Sequence, residues 1–229
     1  MNNNIESILK EKYLHPIEYL KKGNAYIIKN KEKDYVLKLN TNNYDIYQYL
    51  ISRDFFDFPE NYNRPQDNYD LSEYIEEIKI SDEQKVNDLL EELSLLHQKT
   101  SYKKSNDIDS IKKEYETIKN EVIKNKDYYN ELNDMIDKKL FFSPSMYLLV
   151  RNISLIYYLL EYVEKNIDEW YHKINNEKSS RVSLLHNNVN ISHLIINDNK
   201  YLINWDKSYF GNPINDIVSF YQKYYDYLT

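Results

Sequence analysis

The order of apolar and polar positions divides the chain into a strand-prone first third and a mainly helix-prone remainder. After a short polar helix over Ile5 to Leu9, Ala25-Tyr26-Ile27-Ile28 and Tyr35-Val36-Leu37-Lys38-Leu39 are β-prone runs. The charged stretch Asn30 to Asp34 lies between them, so the pair predicts a hairpin. Tyr44 to Ser52 places Ile46, Tyr49 and Leu50 at helical spacing, Pro59 and Pro65 punctuate a loop, and Tyr69 to Ile75 predicts a further strand. From Ser81, an N-cap residue, Val86, Leu89, Leu90, Leu93, Leu96 and His97 recur along one helix face.

Two charged amphipathic helices are expected next, Ile108 to Lys126 and Tyr128 to Lys139. A strongly apolar helix from Ser145 to Asn166 is expected to form the middle of the larger lobe. Charged runs such as Lys112-Lys113-Glu114 suit a solvated helix face. Short apolar strands return at Ser183 to His186, Leu194 to Ile196 and Tyr201 to Ile203, the last two joined by the polar turn Asn197 to Lys200. Asp216 to Leu228 closes the pattern as an amphipathic helix, and no internal repeat is visible.

A chain of 229 residues that is 41% hydrophobic is long enough for one substantial core or two small lobes. Lys plus Arg number 30 against 37 Asp plus Glu, a net charge of −7. There is no basic surplus for a phosphate backbone or an anionic lipid surface, so neither nucleic acid nor membrane is an expected partner. The absence of cysteine removes disulfides, thiolate zinc sites and a cysteine nucleophile. The Asn-rich start has no signal-like pattern, and Met146 to Leu160 is interrupted by Arg151, Asn152 and Ser154. The expectation is a soluble, cytoplasmic protein. The 25 tyrosines fit core and interface positions with polar tips. Only Gly23 and Gly211 are glycine, so no glycine-rich loop of backbone N–H groups can cradle a phosphate.

Chemistry concentrates near the C-terminal end. Leu184-Leu185-His186-Asn187-Asn188-Val189-Asn190-Ile191-Ser192-His193-Leu194-Ile195-Ile196 precedes Ile203-Asn204-Trp205-Asp206 and Gly211-Asn212-Pro213-Ile214-Asn215-Asp216-Ile217. These segments resemble the active-site region of the aminoglycoside phosphotransferase and choline kinase superfamily, including its spore-coat-type bacterial members. There it reads H-G-D-x-x-x-x-N-[IL]-[IL], I-D-[WF]-[DE] and G-D-P-x-x-D-[IL], and the spacings match without a gap. Upstream the likeness is looser: Gly23 falls at the phosphate loop, Lys38 at the strand lysine that holds nucleotide phosphates, and Leu71 to Ile75 at the strand entering the hinge. Leu95-Leu96-His97-Gln98-Lys99 resembles the L-H-K pattern of the first large-lobe helix.

The resemblance implies an α+β, bilobal protein-kinase-like fold, with a small mainly β N-lobe carrying one helix (1–76) and a larger mainly α C-lobe (77–229). It also implies ATP and Mg²⁺ as cofactors, if nucleotide binding survives. The departures change that expectation. The catalytic aspartate, which accepts the proton of the attacking hydroxyl, is Asn188, and an amide is no base near neutral pH. The metal-binding asparagine of the same loop is His193 and the metal-binding aspartate of the second motif is Asn204, leaving Asp206 as the remaining acid. His186 and Asp216 correspond to structural residues of the loop, the aspartate bracing it through backbone N–H groups.

Other readings of single residues stand beside these. Lys38 could snorkel to solvent. If it forms the small-lobe ion pair, its nearest candidate partner is Asp45. No regular ligand spacing links His97, His186 and His193, so no zinc is assigned, although Asn188 and Asn204 could offer amide oxygens to a cation. Tyr201 and Tyr209 could stack on a base or sugar.

Three functions follow from the sequence. The first is a pseudokinase serving as a binding or scaffold protein for an unknown protein partner, in a spore coat or a similar assembly. The second is a residual phosphotransferase acting on a small hydroxylated or amine-bearing molecule. The third is a cleft that takes a small molecule other than a nucleotide. Relatives usually continue through further helices that help form the acceptor site, so the chain also reads as trimmed at its substrate end.

Overall fold

The computed structural model describes residues 3–228, which fall into two compact units. One joins the chain up to Tyr102 with the part from Arg181 onward, and the other is Lys103–Ser180.

The first unit begins with helix α1 (Asn3–Glu11) and a four-stranded antiparallel sheet in the order β1 (Glu18–Lys22), β2 (Ala25–Lys29), β3 (Tyr35–Leu39) and β4 (Tyr69–Glu73). The predicted hairpin is β2–β3, with Tyr26 opposite Leu37 and Ala25 opposite Lys38. On the other side of β3, Leu37 faces Leu71 and Lys38 faces Asp70. Ile5, Ile8 and Leu9 of α1 pack with Ile28, Leu37, Tyr69 and Leu71, so this small core lies between helix and sheet. Strand β1 was not expected from the sequence. It is an edge strand in which only Tyr19 is half-buried, so the alternation that betrays a strand is nearly absent.

Helix α2 (Tyr44–Ser52) keeps its predicted bounds, and α3 (Asp82–Thr100) begins where Ser81 Oγ accepts the backbone N–H of Gln84. Leu89, Leu93 and Leu96 of α3 join Leu50 and Phe55 in the larger core. β6 (Ser179–Leu185), β7 (Leu194–Ile196), β8 (Lys200–Leu202) and α6 (Ile214–Tyr224) add Leu184, Leu194, Leu202, Phe220 and the intervening Trp205. At about 1.5–3 kcal/mol for each large apolar side chain taken out of water, these residues dominate what holds the unit together. β7 and β8 form a two-stranded ribbon, and β6 pairs with the short strand β9 (Tyr209–Gly211).

The second unit carries β5 (Tyr102–Ser105, whose first residue belongs to the first unit) and two long helices, α4 (Ile108–Asp137) and α5 (Pro144–Asn176). The two helices expected at 108–126 and 128–139 are one, because nothing between Lys126 and Tyr128 breaks a helix. α5 starts on the Ser143 cap with Pro144 at its first turn and runs ten residues beyond the expected Asn166. It pairs with α4 through stacked Tyr115 and Tyr171, a Lys119–Asp168 ion pair of 3.0 Å and a Lys126–Glu164 pair of 2.6 Å. The expectation that α5 forms the middle of a lobe fails: none of its residues is buried. No described helix is long and apolar enough to cross a membrane.

Candidate functional site

Two structures meet in the C-terminal motifs: a buried brace and a cleft. The brace centres on Asp216, 1% exposed in the first turn of α6. Its carboxylate accepts the backbone N–H of His186 at 2.8 Å and of Asn187 at 2.8 Å, and the Nε2–H of His97 at 2.9 Å. The end of α3 is stitched to β6 as well, since Leu184 N–H donates to Thr100 Oγ1 and Ser183 Oγ donates to the carbonyl of His97. His186 Nε2–H donates to the Ile203 carbonyl at 2.9 Å, and its ring meets Trp205 edge to face. Burial pushes the His186 imidazole down to about 4, so it is neutral. The brace fixes the loop after β6, where Asn187 takes a left-handed φ of 52°, a conformation asparagine tolerates better than most residues.

Asn188, His193, Asn204, Asp206 and Lys38 line one cavity of about 620 Å³, bounded on the sheet side by Val36, Ser72 and Asp70. That size suits a small ligand. Lys38 projects from β3 and donates to Asn204 Oδ1 and, at 3.3 Å, to Asp206 Oδ2. Its carboxylate partner is therefore Asp206 and not Asp45, which sits exposed in the first turn of α2. Asp206 also accepts Thr41 Oγ1 and Asn43 Nδ2, both at 3.1 Å. Burial would raise the Asp206 carboxyl, but the Asn43 bond and the Lys38 charge hold it below the usual carboxylate range. Asn204 is left-handed (φ 67°), which aims its amide at Lys38. His193 Nδ1–H donates to the Asn188 carbonyl at 2.7 Å, and burial with the nearby lysines lowers its pKa.

Gly23 occupies the first place of the two-residue β1–β2 turn with φ +60°, a conformation that favours glycine. Beyond its chain neighbours no heavy atom lies within 4 Å of where its Cβ would stand, so backbone geometry alone accounts for the glycine. The neighbouring Lys22 and Asn24 line the cleft.

A divalent cation is not accommodated by this arrangement. Asp206 already holds an ammonium and two neutral donors, and Asn204 Oδ1 is taken by the same lysine. Among the described residues no three His, Asp or Glu side chains converge to hold a metal ion.

The sequence reading missed the layer beneath the cleft. Buried Asp70 accepts Asn43 Nδ2 at 2.8 Å, Asn61 Nδ2 at 2.8 Å and Asn63 Nδ2 at 2.7 Å. Asn43 thus bridges Asp70 and Asp206. Its place just before α2 is an N-cap signal, but the side chain makes no cap bond.

No protein-family model and no curated protein matches the sequence. Solved structures do resemble it. An aminoglycoside phosphotransferase from Alicyclobacillus acidocaldarius superposes with a TM-score of 0.55 at 10% identity, over 91% of this chain and 67% of that one. The choline kinase LicA from Streptococcus pneumoniae gives a TM-score of 0.52 at 14% identity, over 96% of this chain and 73% of that one. At such identities the likeness is one of architecture: the chain has the bilobal, protein-kinase-like α+β fold of the aminoglycoside phosphotransferases and choline kinases.

Proposed function

We propose that this chain is a pseudokinase, a kinase-like fold that serves as a binding or scaffold protein in a spore coat or a comparable bacterial assembly. In this reading 1–76 is the former nucleotide lobe, 77–229 the helical lobe, and the protein is cytoplasmic or spore-associated. The observation that carries the reading is the engagement of Lys38 by Asn204 and Asp206. The lysine that would hold phosphates instead fills the place of the metal, with a +1 ammonium where phosphoryl transfer needs Mg²⁺. The amide of Asn188 supplies no base, a function worth roughly 10²–10⁴-fold in rate.

Calorimetric titration with ATP, with and without Mg²⁺, tests this beside an assay of ADP release. No turnover at any Mg²⁺ concentration, and no strengthening of ATP binding by Mg²⁺, are expected. Magnesium-dependent ATP binding with ADP release would overturn it. The result would favour a residual phosphotransferase acting on a small hydroxylated or amine-bearing molecule through Lys38 and Asp206, a reading that the surviving Asp206 carboxylate supports. In that case Asn188→Asp and Asn204→Asp should change an activity already present.

A further inference from the structure

Helix α5 carries two apolar faces, and α4 covers one. Met146, Leu149, Ile153, Ile156, Leu160 and Ile167 are half-buried on the side shared with Glu164 and Asp168, which bond to α4. Nearly half a turn away lies a second stripe of Tyr147, Leu148, Leu155, Tyr158, Leu159 and Tyr162, each between 49% and 62% exposed. With roughly 200 Å² for each large side chain, the stripe leaves on the order of 700 Å² of mostly apolar surface in water. A typical monomer's largest apolar patch is about 300–600 Å², and each partner in a standard interface buries about 800 Å². The hairpin tip adds Leu140 and Phe141, 94% and 88% exposed.

Charge at the edge of the stripe selects the occupant. Arg151 and Glu161 are both exposed and ten residues apart, and at 100° per residue they lie on the same side of the stripe's midline, Arg151 between Tyr158 and Tyr162 and Glu161 just beyond Tyr147. Neither forms an ion pair among the described residues. A second α5 laid antiparallel and centred near Ile156 sets each Arg151 against the other's Glu161, twice by symmetry, while Leu155 meets its counterpart and Leu159 lies beside the other's Leu155. Such a contact is isologous and closes as a dimer. A partner of unrelated sequence has no reason to reproduce this self-complementarity. We infer that the protein forms a two-fold dimer through the outer face of α5, with antiparallel helices in that register.

Sedimentation velocity on the full chain over a range of ~1 to ~200 µM reads the outcome, with far-UV circular dichroism confirming that each variant is folded. A concentration-dependent monomer–dimer equilibrium is expected. Leu155→Glu, which places a charge at the centre of the stripe, should give a folded monomer at all concentrations. Arg151→Glu or Glu161→Arg alone should weaken the dimer about tenfold, and the two together should restore it. A wild-type chain that stays monomeric overturns the inference, and one that instead floats with liposomes assigns the face to lipid. A dimer indifferent to Leu155→Glu, or one the paired charge exchange fails to restore, overturns the inference as well.

Discussion

The brace around Asp216 and the cleft around Asp206 stand only a few residues apart in the same motifs, yet they differ in every physical respect. Asp216 and His186 are each 1% exposed; the carboxylate accepts two backbone N–H groups and the His97 Nε2–H, and His186 Nε2–H donates to a backbone carbonyl. Asp206 is half-open to the cavity, its side chain 40% exposed, and it is held by side chains alone. A buried charge or imidazole without its partners costs several kcal/mol, whereas an exposed pair is worth about 1 kcal/mol or less. The fold therefore depends on the brace and tolerates exchange in the cleft. Asparagine can stand at 188 and 204 without loss of the loop geometry that 186 and 216 maintain.

The largest effect should come from removing the centre of the brace. Asp216→Ala leaves the buried His186 N–H, the partly buried Asn187 N–H and the His97 Nε2–H without an acceptor, and should lower unfolding free energy by about 3–5 kcal/mol. Urea denaturation reads this directly. A loss below ~1 kcal/mol would remove the contrast with the cleft.

The second test is pH dependence. His186 titrates at about 4 in the folded chain against 6.5 when free, so folding disfavours its proton. Its contribution is complete above pH 6.5, declines as the pH falls from 6.5 to 4, and changes no further below that, for a total of about 3 kcal/mol. Comparing wild type with His186→Asn across that range isolates it; a difference between them that does not vary with pH would count against a neutral, brace-buried imidazole.

Glu92 supplies the opposite sign in nearly the same window. It is buried on α3, and burial with the nearby Asp57 carboxylate pushes it up to about 7. Folding retains its proton, so its contribution is full below pH 4.5 and is lost as the pH rises to 7. Glu92→Gln should stabilise the protein by about 1–2 kcal/mol at pH 8 and leave it unchanged at pH 4, measured by the same denaturation series.

How far the sequence disclosed this arrangement depends on whether each signal was local. Ser81 announces α3 and the charged turn announces β2–β3, because each is written within a few residues, whereas the brace of His186 and Asp216, 30 residues apart, was expected only from the family resemblance. α5 misled because a helix apolar around most of its circumference normally belongs inside a core, and here much of that surface faces water. Asp70 and its three asparagines were invisible for another reason. Their meeting is made by the residue before α2 and by the segment around Asn61 and Asn63 folding onto Asp70 of β4, and asparagine is too frequent in this chain for any one to stand out. Lys38 and Asp206 are 168 residues apart, so only the fold could name their pairing over the nearer Asp45.

The smallest effect belongs to the cleft and completes the comparison. Lys38→Met removes the ammonium from Asp206 and Asn204 but leaves Asn43 and Thr41 donating to the carboxylate. Stability should fall by less than about 1 kcal/mol, because the pair is partly open to solvent. The carboxyl itself should respond more clearly: without the lysine charge its pKa moves up toward the ordinary carboxylate value, since burial then opposes ionisation with less to offset it. Carbon-detected NMR of the Asp206 side chain during an acid titration reads that shift. A pKa unchanged by Lys38→Met would mean that Asn43 and Thr41 alone set the charge of the site, and that the lysine is free to meet an anionic ligand.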